Sequence, residues 1–142
     1  EPGPSKPLCL AWGTLRPKPT RSLDQRLYDL AEKLRSVIKA WGPTYGAVEQ
    51  PFVQKYPSSA LVLGAARGVC LLTLAEHRIQ TKEYAPNHMK KWITGQGHSS
   101  KDAIKALLPL WIELPDQKGS LDAVDAAGLA FVRLCTLDHP LN

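Results

Sequence analysis

Residues 45–52 read YGAVEQPF, a short apolar run that ends in one carboxylate and is then broken by a proline. This pattern predicts a strand over residues 44–50 with Glu49 at its end. A carboxylate at the end of a buried strand is costly unless a cation or a proton donor lies beside it. Glu49 is therefore a candidate site residue, although a strand-end glutamate that faces solvent fits the same position equally well.

Helical patterns flank this strand. Apolar residues at helical spacing predict a helix over residues 23–41, with Ser22 and Gln25 as a capping box and a Gly-Pro pair as its stop. Residues 58–77 predict a second helix, which carries several glycines and alanines. Glycine inside a helix costs about 1 kcal/mol relative to alanine, so this run indicates close approach of another backbone, from the sheet or from a second subunit.

The remaining elements predict an α/β domain. Strand patterns are expected at residues 8–15 and 79–84, a short basic helix at 87–92, and a helix over about 121–137 capped by Ser120. The alternation of strands and helices indicates helices covering a mostly parallel sheet in a single domain over residues 1–142. The first seven residues contain three prolines and a glycine, which are typical of a tight turn, and they precede a predicted strand. Because a tight turn normally joins two strands, we expect the sequence to lack an N-terminal piece. A frayed, proline-rich terminus is the alternative.

Composition narrows the class of protein. The net charge of +5 and the sequence pI of about 9.2 indicate a polyanionic partner. The three widely spaced cysteines predict buried free thiols in a reducing compartment, and we expect a cytoplasmic protein. We expect neither a signal peptide at the start of the sequence nor a stretch that approaches the length needed to cross a membrane.

Two carboxylates near the C-terminus extend the candidate site. Asp122 and Asp125 lie three residues apart on the predicted last helix and so share one face. If that helix crosses the sheet beside Glu49, three carboxylates meet, and a hard divalent cation such as Mg²⁺ would relieve their repulsion. Two such ions support phosphodiester cleavage. Taken alone, the aspartates are better explained as first-turn acids that favour the helix dipole.

Basic and aromatic residues fit a nucleic-acid partner. The candidates for contacts with phosphates are Lys55, Arg67, Lys90, Lys91 and Lys101. Phe52, three residues after Glu49, is a candidate for stacking on a base or wedging between bases. The alternative is a solvated basic face and a core phenylalanine.

Four runs of the sequence, in order along nearly the whole chain, resemble RuvC-type Holliday junction resolvases. They are AVEQPF at 47–52, SALVLGAARGV at 59–69, EYAPNHMK at 83–90 and DAVDAA at 122–127. The resemblance implies a ribonuclease H-like mixed sheet flanked by helices, a homodimer, and paired nicking of four-way DNA junctions.

The resemblance also assigns residue roles. It implies that Glu49, Asp122 and Asp125 hold two Mg²⁺ ions per site, with Mn²⁺ as a substitute. It further implies that Lys90 and Lys101 match the family's two active-site lysines, and that Phe52 matches an aromatic that enters the junction. A branch-migration helicase is a candidate partner, and no membrane is expected.

One feature of the family pattern is absent from this sequence. The family's first strand carries an aspartate, whereas Glu1 aligns better with the turn of a later hairpin. The sheet is therefore expected without its N-terminal strand and without the fourth acid. The leading hypothesis is a junction-resolving endonuclease. The alternatives are a catalytically inactive junction-binding module and a ribonuclease H-like nuclease that acts on another branched or RNA-containing substrate.

Overall fold

A computed structural model describes residues 5–51 and 57–137. Its regular elements, in chain order, are α1 (Leu23–Trp41), β1 (Tyr45–Glu49), α2 (Pro57–Glu76), β2 (Gln80–Tyr84), α3 (His88–Thr94), α4 (Lys101–Leu107), a 3₁₀ turn (Leu108–Leu110) and α5 (Leu121–Cys135). The chain divides into two compact units. The strand unit is Leu15–Pro86, and the helical unit combines Glu1–Thr14 with Asn87–Asn142. The expectation of a single domain stays a prediction.

The strand unit contains a parallel pair of strands joined by a long helix. β1 and β2 pair in parallel register, with Tyr45 opposite Gln80 and Glu49 opposite Tyr84. α2 connects the two strands and contacts both, while α1 packs on α2. This β-α-β arrangement confirms the predicted parallel pairing and sets Glu49 at the carboxyl end of β1.

Glycine at position 46 lets the two strands and their side chains come together. A Cβ atom there would lie 3.0 Å from Oγ1 of Thr81 and 3.3 Å from Cγ2 of Ile79. Such distances are tighter than ordinary van der Waals contact, so an alanine at this position would push against β2.

The ends of α1 differ partly from the sequence prediction. Gly42 has φ of +57° and donates its N–H to the carbonyl of Ile38 at 2.8 Å, so the predicted helix stop is confirmed. The predicted capping box is wrong, because the Ser22 side chain makes no capping hydrogen bond. The carboxylate of Asp24 accepts a hydrogen bond from Ser22 instead, and this bond lowers the pKa of Asp24.

In the helical unit, α3, α4 and α5 pack on one another. The core side chains of this unit are Met89, Ile93, Ile104, Leu108, Ile112, Val124, Leu129 and Val132, all of them buried. Ser100 and Ser120 each accept a hydrogen bond at 3.1 Å from the backbone N–H three residues later. These caps satisfy amide groups at the starts of α4 and α5, as predicted for α5.

Residues 8–15 do not form the predicted strand. Leu8 makes a single parallel bridge with Glu113, whose carbonyl accepts from the Cys9 N–H at 2.8 Å and whose N–H donates to the Pro7 carbonyl at 2.9 Å. Glu113 lies between the 3₁₀ turn and Pro115, so the partner segment offers only one residue for pairing. Residues 8–15 therefore stay irregular, because they have a strand pattern but no extended segment to pair with.

α2 corrects two expectations drawn from the sequence. By length and composition it is the one helix in the described residues that could span a membrane, with a mean hydropathy of 1.6 over an 18-residue window. The expectation that no stretch approaches this length was therefore wrong. Among the described residues, a Cβ atom added at Gly64 or Gly68 would meet nothing within 4 Å. Of the two neighbours considered for these glycines, the sheet is therefore not the one, and a second subunit stays a prediction.

Candidate active site

The N-terminal turns of α5 present two carboxylates of unequal exposure. Ser120 caps the helix, and the next residues alternate between core and surface as the helix turns. The Asp122 side chain is 74% exposed, whereas that of Asp125, one turn later, is 22% exposed. The helix thus places one acid in solvent and the other partly within the protein.

Lys101, the first residue of α4, contacts both acids. Its Nζ donates a hydrogen bond to Oδ1 of Asp122 at 2.7 Å and lies 3.7 Å from Oδ2 of Asp125. Both carboxylates therefore face the same ammonium group, as residues three apart on one helix can. The packing of α4 on α5 brings together three of the residues that the sequence proposed for the site.

The electrostatics of this cluster differ between its members. The pKa of Asp125 is raised, and burial is the largest cause. The charge of Asp122 also raises this pKa, whereas the positive charges of Lys101 and Lys90 act to lower it. The hydrogen bond to Asp122 raises the pKa of Lys101. Lys90, on α3, is thus close enough to Asp125 for its charge to be felt, although it forms no ion pair with that carboxylate among the described contacts.

The cluster suits a hard metal ion. Oδ1 of Asp125 is buried and has no hydrogen-bond partner among the described residues. An orphaned carboxylate oxygen is a ligand that Mg²⁺ accepts, and the ion ordinarily completes its shell with water and phosphate oxygens. Within the described part of either unit, no three His, Cys, Asp or Glu side chains form a ready metal site. The two aspartates could therefore supply part of the ligand set of a magnesium ion, but not all of it.

Glu49 lies in the strand unit, at the exposed end of β1. The N–H of Gln50 donates to the Tyr84 carbonyl at 2.8 Å, which fixes the end of the strand. A cavity of about 310 Å³ opens beside it. The described residues that line this cavity, hereafter the Glu49 cavity, are Val48, Glu49, Gln50, Pro51, Leu63, Ala66, Arg67, Cys70 and Pro86.

An ion pair that the sequence did not reveal forms part of this region. Arg67 on α2 donates through Nε and Nη2 to the two carboxylate oxygens of Glu83 on β2, the second contact measuring 2.7 Å. The pair raises the pKa of Arg67 and lowers that of Glu83. The two residues are 16 apart on different elements, so no local spacing pointed to their contact.

The other predicted contacts with nucleic acid divide into two groups. Lys91 is exposed on α3, and Lys90 is half-buried beside it. Phe52 and Lys55 lie outside the described residues. The roles of all these residues in DNA binding remain predictions.

Comparison with known proteins identifies the family. The family model for crossover junction endodeoxyribonuclease RuvC matches residues 3–133 of this chain. The chain belongs to the RuvC family. A RuvC of Rhodopseudomonas palustris (strain TIE-1) is 40% identical over 121 residues, which cover 85% of this chain and 69% of the relative. A RuvC of Ruegeria pomeroyi is 36% identical over 135 residues, which cover 85% of this chain and 81% of the relative.

A solved structure supports the fold assignment. The T. thermophilus RuvC in complex with a Holliday junction substrate superposes with a TM-score of 0.69, at 24% identity, covering 86% of this chain and 77% of that one. The α/β, ribonuclease H-like fold class inferred from the sequence is therefore confirmed. The resemblance to RuvC resolvases, first seen in four short runs, is confirmed as family membership.

Proposed function

We propose that this protein is an endonuclease that resolves four-way DNA junctions by hydrolysing phosphodiester bonds. The observation that carries the proposal is the cluster of Asp122, Asp125 and Lys101 in a chain of the RuvC family. Its relatives are named crossover junction endodeoxyribonucleases, and a solved relative holds a Holliday junction substrate. A pair of acids beside a lysine is suited to holding a cation and a phosphate close together.

The proposal includes Mg²⁺ as the cofactor, two ions per site, with Mn²⁺ as a substitute. Asp122 and Asp125 would supply oxygen ligands from α5, and Glu49 would supply the strand-end ligand that the family resemblance implies. When bound, the ions would activate a water molecule and stabilise the leaving oxygen. The orphaned Oδ1 of Asp125 supports a ligand role for this residue in particular.

Lys101 and Lys90 supply positive charge near the two aspartates. Lysine is protonated at neutral pH, and the hydrogen bond to Asp122 raises the pKa of Lys101 and favours its charged form further. A protonated Lys101 would compensate the carboxylates in the free enzyme and stabilise negative charge on the phosphate during cleavage. Lys90 contributes positive charge to the same region through its effect on Asp125.

DNA binding is proposed to rest on contacts with the phosphate backbone. The net charge of +5 favours a polyanion, and Lys91 offers an exposed ammonium group next to Lys90. Lys55 and Phe52 keep the roles in DNA binding that the sequence suggested. Such contacts position DNA without reading its sequence, as a structure-specific nuclease requires.

A homodimer through α2 is part of the proposal. Ala60, Gly64 and Gly68 follow one another at four-residue intervals and so form a stripe of small residues on one helix face. Beside this stripe, Leu61 is 76% exposed and Leu72 is 60% exposed. Exposed leucines beside a stripe of small residues on one helix suit a subunit interface. A helicase partner and a cytoplasmic location stay predictions from the sequence.

The test is cleavage of a labelled four-way junction by the purified protein with Mg²⁺, beside a Glu49→Gln variant and a matched Glu113→Gln control. We expect symmetric paired nicks from the unaltered protein and from the control, and at least a 100-fold slower reaction from Glu49→Gln, about the effect of removing one essential contact. Tight junction binding without cleavage would leave a junction-binding module. Preference for an RNA–DNA hybrid would indicate another substrate, and absence of any binding would refute the proposal.

A further inference from the structure

The pair between Arg67 and Glu83 joins α2 to β2 at the wall of the Glu49 cavity. Arg67 donates from Nε to one carboxylate oxygen and from Nη2 to the other. A two-point contact fixes the plane of the guanidinium group as well as its position. Nη1 makes no hydrogen bond to any described residue, so donors remain on the other edge of the group.

The position of Arg67 distinguishes this pair from an ordinary surface ion pair. Among the described residues that line the Glu49 cavity, Arg67 is the cationic one, and it shares the cavity with the candidate metal ligand Glu49. The pair is partly shielded from solvent, with 36% of the Arg67 side chain and 26% of the Glu83 side chain exposed. Arg67 is a cation beside a candidate nuclease carboxylate, and its unused N–H groups can donate hydrogen bonds to a phosphate oxygen.

We propose that Glu83 is a positioning residue, which holds Arg67 so that the free edge of its guanidinium group contacts a backbone phosphate of the DNA strand on which Glu49 acts. The inference rests on the proposed function, since it assumes that DNA enters the Glu49 cavity. Holding the guanidinium before DNA arrives reduces the side-chain freedom that binding would otherwise remove. Glu83 therefore improves the contact although it carries the same charge sign as DNA.

The strand unit contains a matched ion pair for comparison. Arg35 on α1 donates to Glu76 on α2, with Nε 3.2 Å from Oε2 and with 30% and 40% of the two side chains exposed. This pair also ties a neighbouring element to α2, but neither residue is among those that line the Glu49 cavity. Exchanging the charges of each pair separates the structural role of an ion pair from a role in DNA binding.

The first experiment compares two double variants, Arg67→Glu with Glu83→Arg, and Arg35→Glu with Glu76→Arg. Each keeps the attraction between its two elements. The second also loses the exposed ion pair of Arg35 with Glu32, which contributes little to stability, so both should unfold thermally close to the unaltered protein. Only the first should bind the four-way junction at least about tenfold more weakly, with the slope of log K against log salt smaller by about one. A first variant that keeps the affinity and the salt slope of the unaltered protein would overturn the inference.

The second experiment uses Glu83→Gln, which keeps Arg67 and adds one unit to the net charge. Charge alone predicts tighter DNA binding and unchanged cleavage. Positioning predicts that kcat on the junction falls about tenfold while binding to plain duplex is not weakened. Cleavage at the rate of the unaltered protein would contradict the role of Glu83. If the unaltered protein neither binds nor cuts junctions, the proposed function itself fails. If the unaltered protein does both and Glu83→Gln cuts equally fast, only the positioning role of Glu83 fails, so the two failures are distinguishable.

Discussion

The Nζ atom of Lys101 lies 2.7 Å from Oδ1 of Asp122, although 21 residues separate them in the sequence. The side chains are 47% and 74% exposed, and an ion pair this exposed contributes about 1 kcal/mol or less to stability. The contact therefore matters little for folding. Its importance lies in bringing an ammonium group to the two acids that are candidates for holding a metal ion.

Lys101→Met should consequently separate stability from activity. We expect the free energy of unfolding to change by less than about 1 kcal/mol, because the lost pair is exposed. Junction cleavage should fall by at least about 100-fold, because the cluster loses the ammonium group proposed to stabilise charge on the phosphate. Urea unfolding and single-turnover cleavage measure the two effects. Lys105→Met, on the same helix, is the control, and an equal loss of activity there would argue against a specific role.

Asp125→Asn should raise stability at neutral pH. Because burial raises the pKa of Asp125 in the folded state, the ionised carboxylate destabilises the fold, and wild-type stability falls as pH rises through that raised pKa. Asparagine does not titrate, so its advantage should be absent below the ordinary value of 3.8 and complete above the raised pKa. Thermal unfolding between pH 3 and pH 7 measures this difference. An asparagine variant that is less stable at pH 7 would contradict the assignment.

Gly64→Leu tests the dimer proposed through α2. In a single chain the new side chain meets no neighbour at its Cβ, and replacing glycine within a helix gains up to about 1 kcal/mol. In a dimer packed on the small-residue stripe, the same side chain would keep the helices apart. We expect sedimentation velocity to show a stable but monomeric variant. Ala40→Leu, exposed on α1, is the control, and unchanged association of Gly64→Leu would place the interface elsewhere.

Gly119→Ala should destabilise the helical unit. An added Cβ would lie 2.7 Å from Cε2 and Cζ2 of Trp12, a rigid ring held by a 3.0 Å hydrogen bond from Nε1 to the Gln117 carbonyl. Overpacking against a ring that cannot bend should cost about 1–3 kcal/mol. Denaturant unfolding followed by tryptophan fluorescence measures the loss. Gly13→Ala, where a Cβ meets no atom of the described residues within 4 Å, should be near neutral, so equal midpoints would refute the prediction.

The helices were predictable because their signals are local. Apolar spacing placed α1 at its observed bounds, and Ser120 marked the start of α5, since both signals lie within one turn of the element itself. The strand carrying Glu49 was also predictable, from an apolar run closed by a proline. Position, helical spacing and charge selected the candidate acids and lysines, and the family motifs then supplied their specific roles, which no periodicity could have given.

Features that depend on a distant or competing partner were not predictable. The pattern at residues 8–15 indicated a strand, but pairing required an extended neighbour, and Glu113 supplies only one residue. Ser22 had two partners in reach, a backbone N–H of the first turn and the carboxylate of Asp24, and its hydroxyl donates to Asp24 instead of capping α1. Glu83 gave no sign of its role, because its partner Arg67 lies on another element.

The parallel register of β1 and β2 has a consequence for how the chain folds. Tyr45 pairs with Gln80, 35 positions later, and the 20-residue α2 lies between the strands. The two strands cannot meet until this helix has folded back, so loop closure precedes any gain from strand pairing. In pulse-labelled hydrogen exchange during refolding, amides of α2 should gain protection before those of β1, and the reverse order would contradict this sequence of events. We therefore expect the end of β1 that carries Glu49 to assemble late, so that the apolar surface of α2 stays open to premature association while the sheet is still unformed.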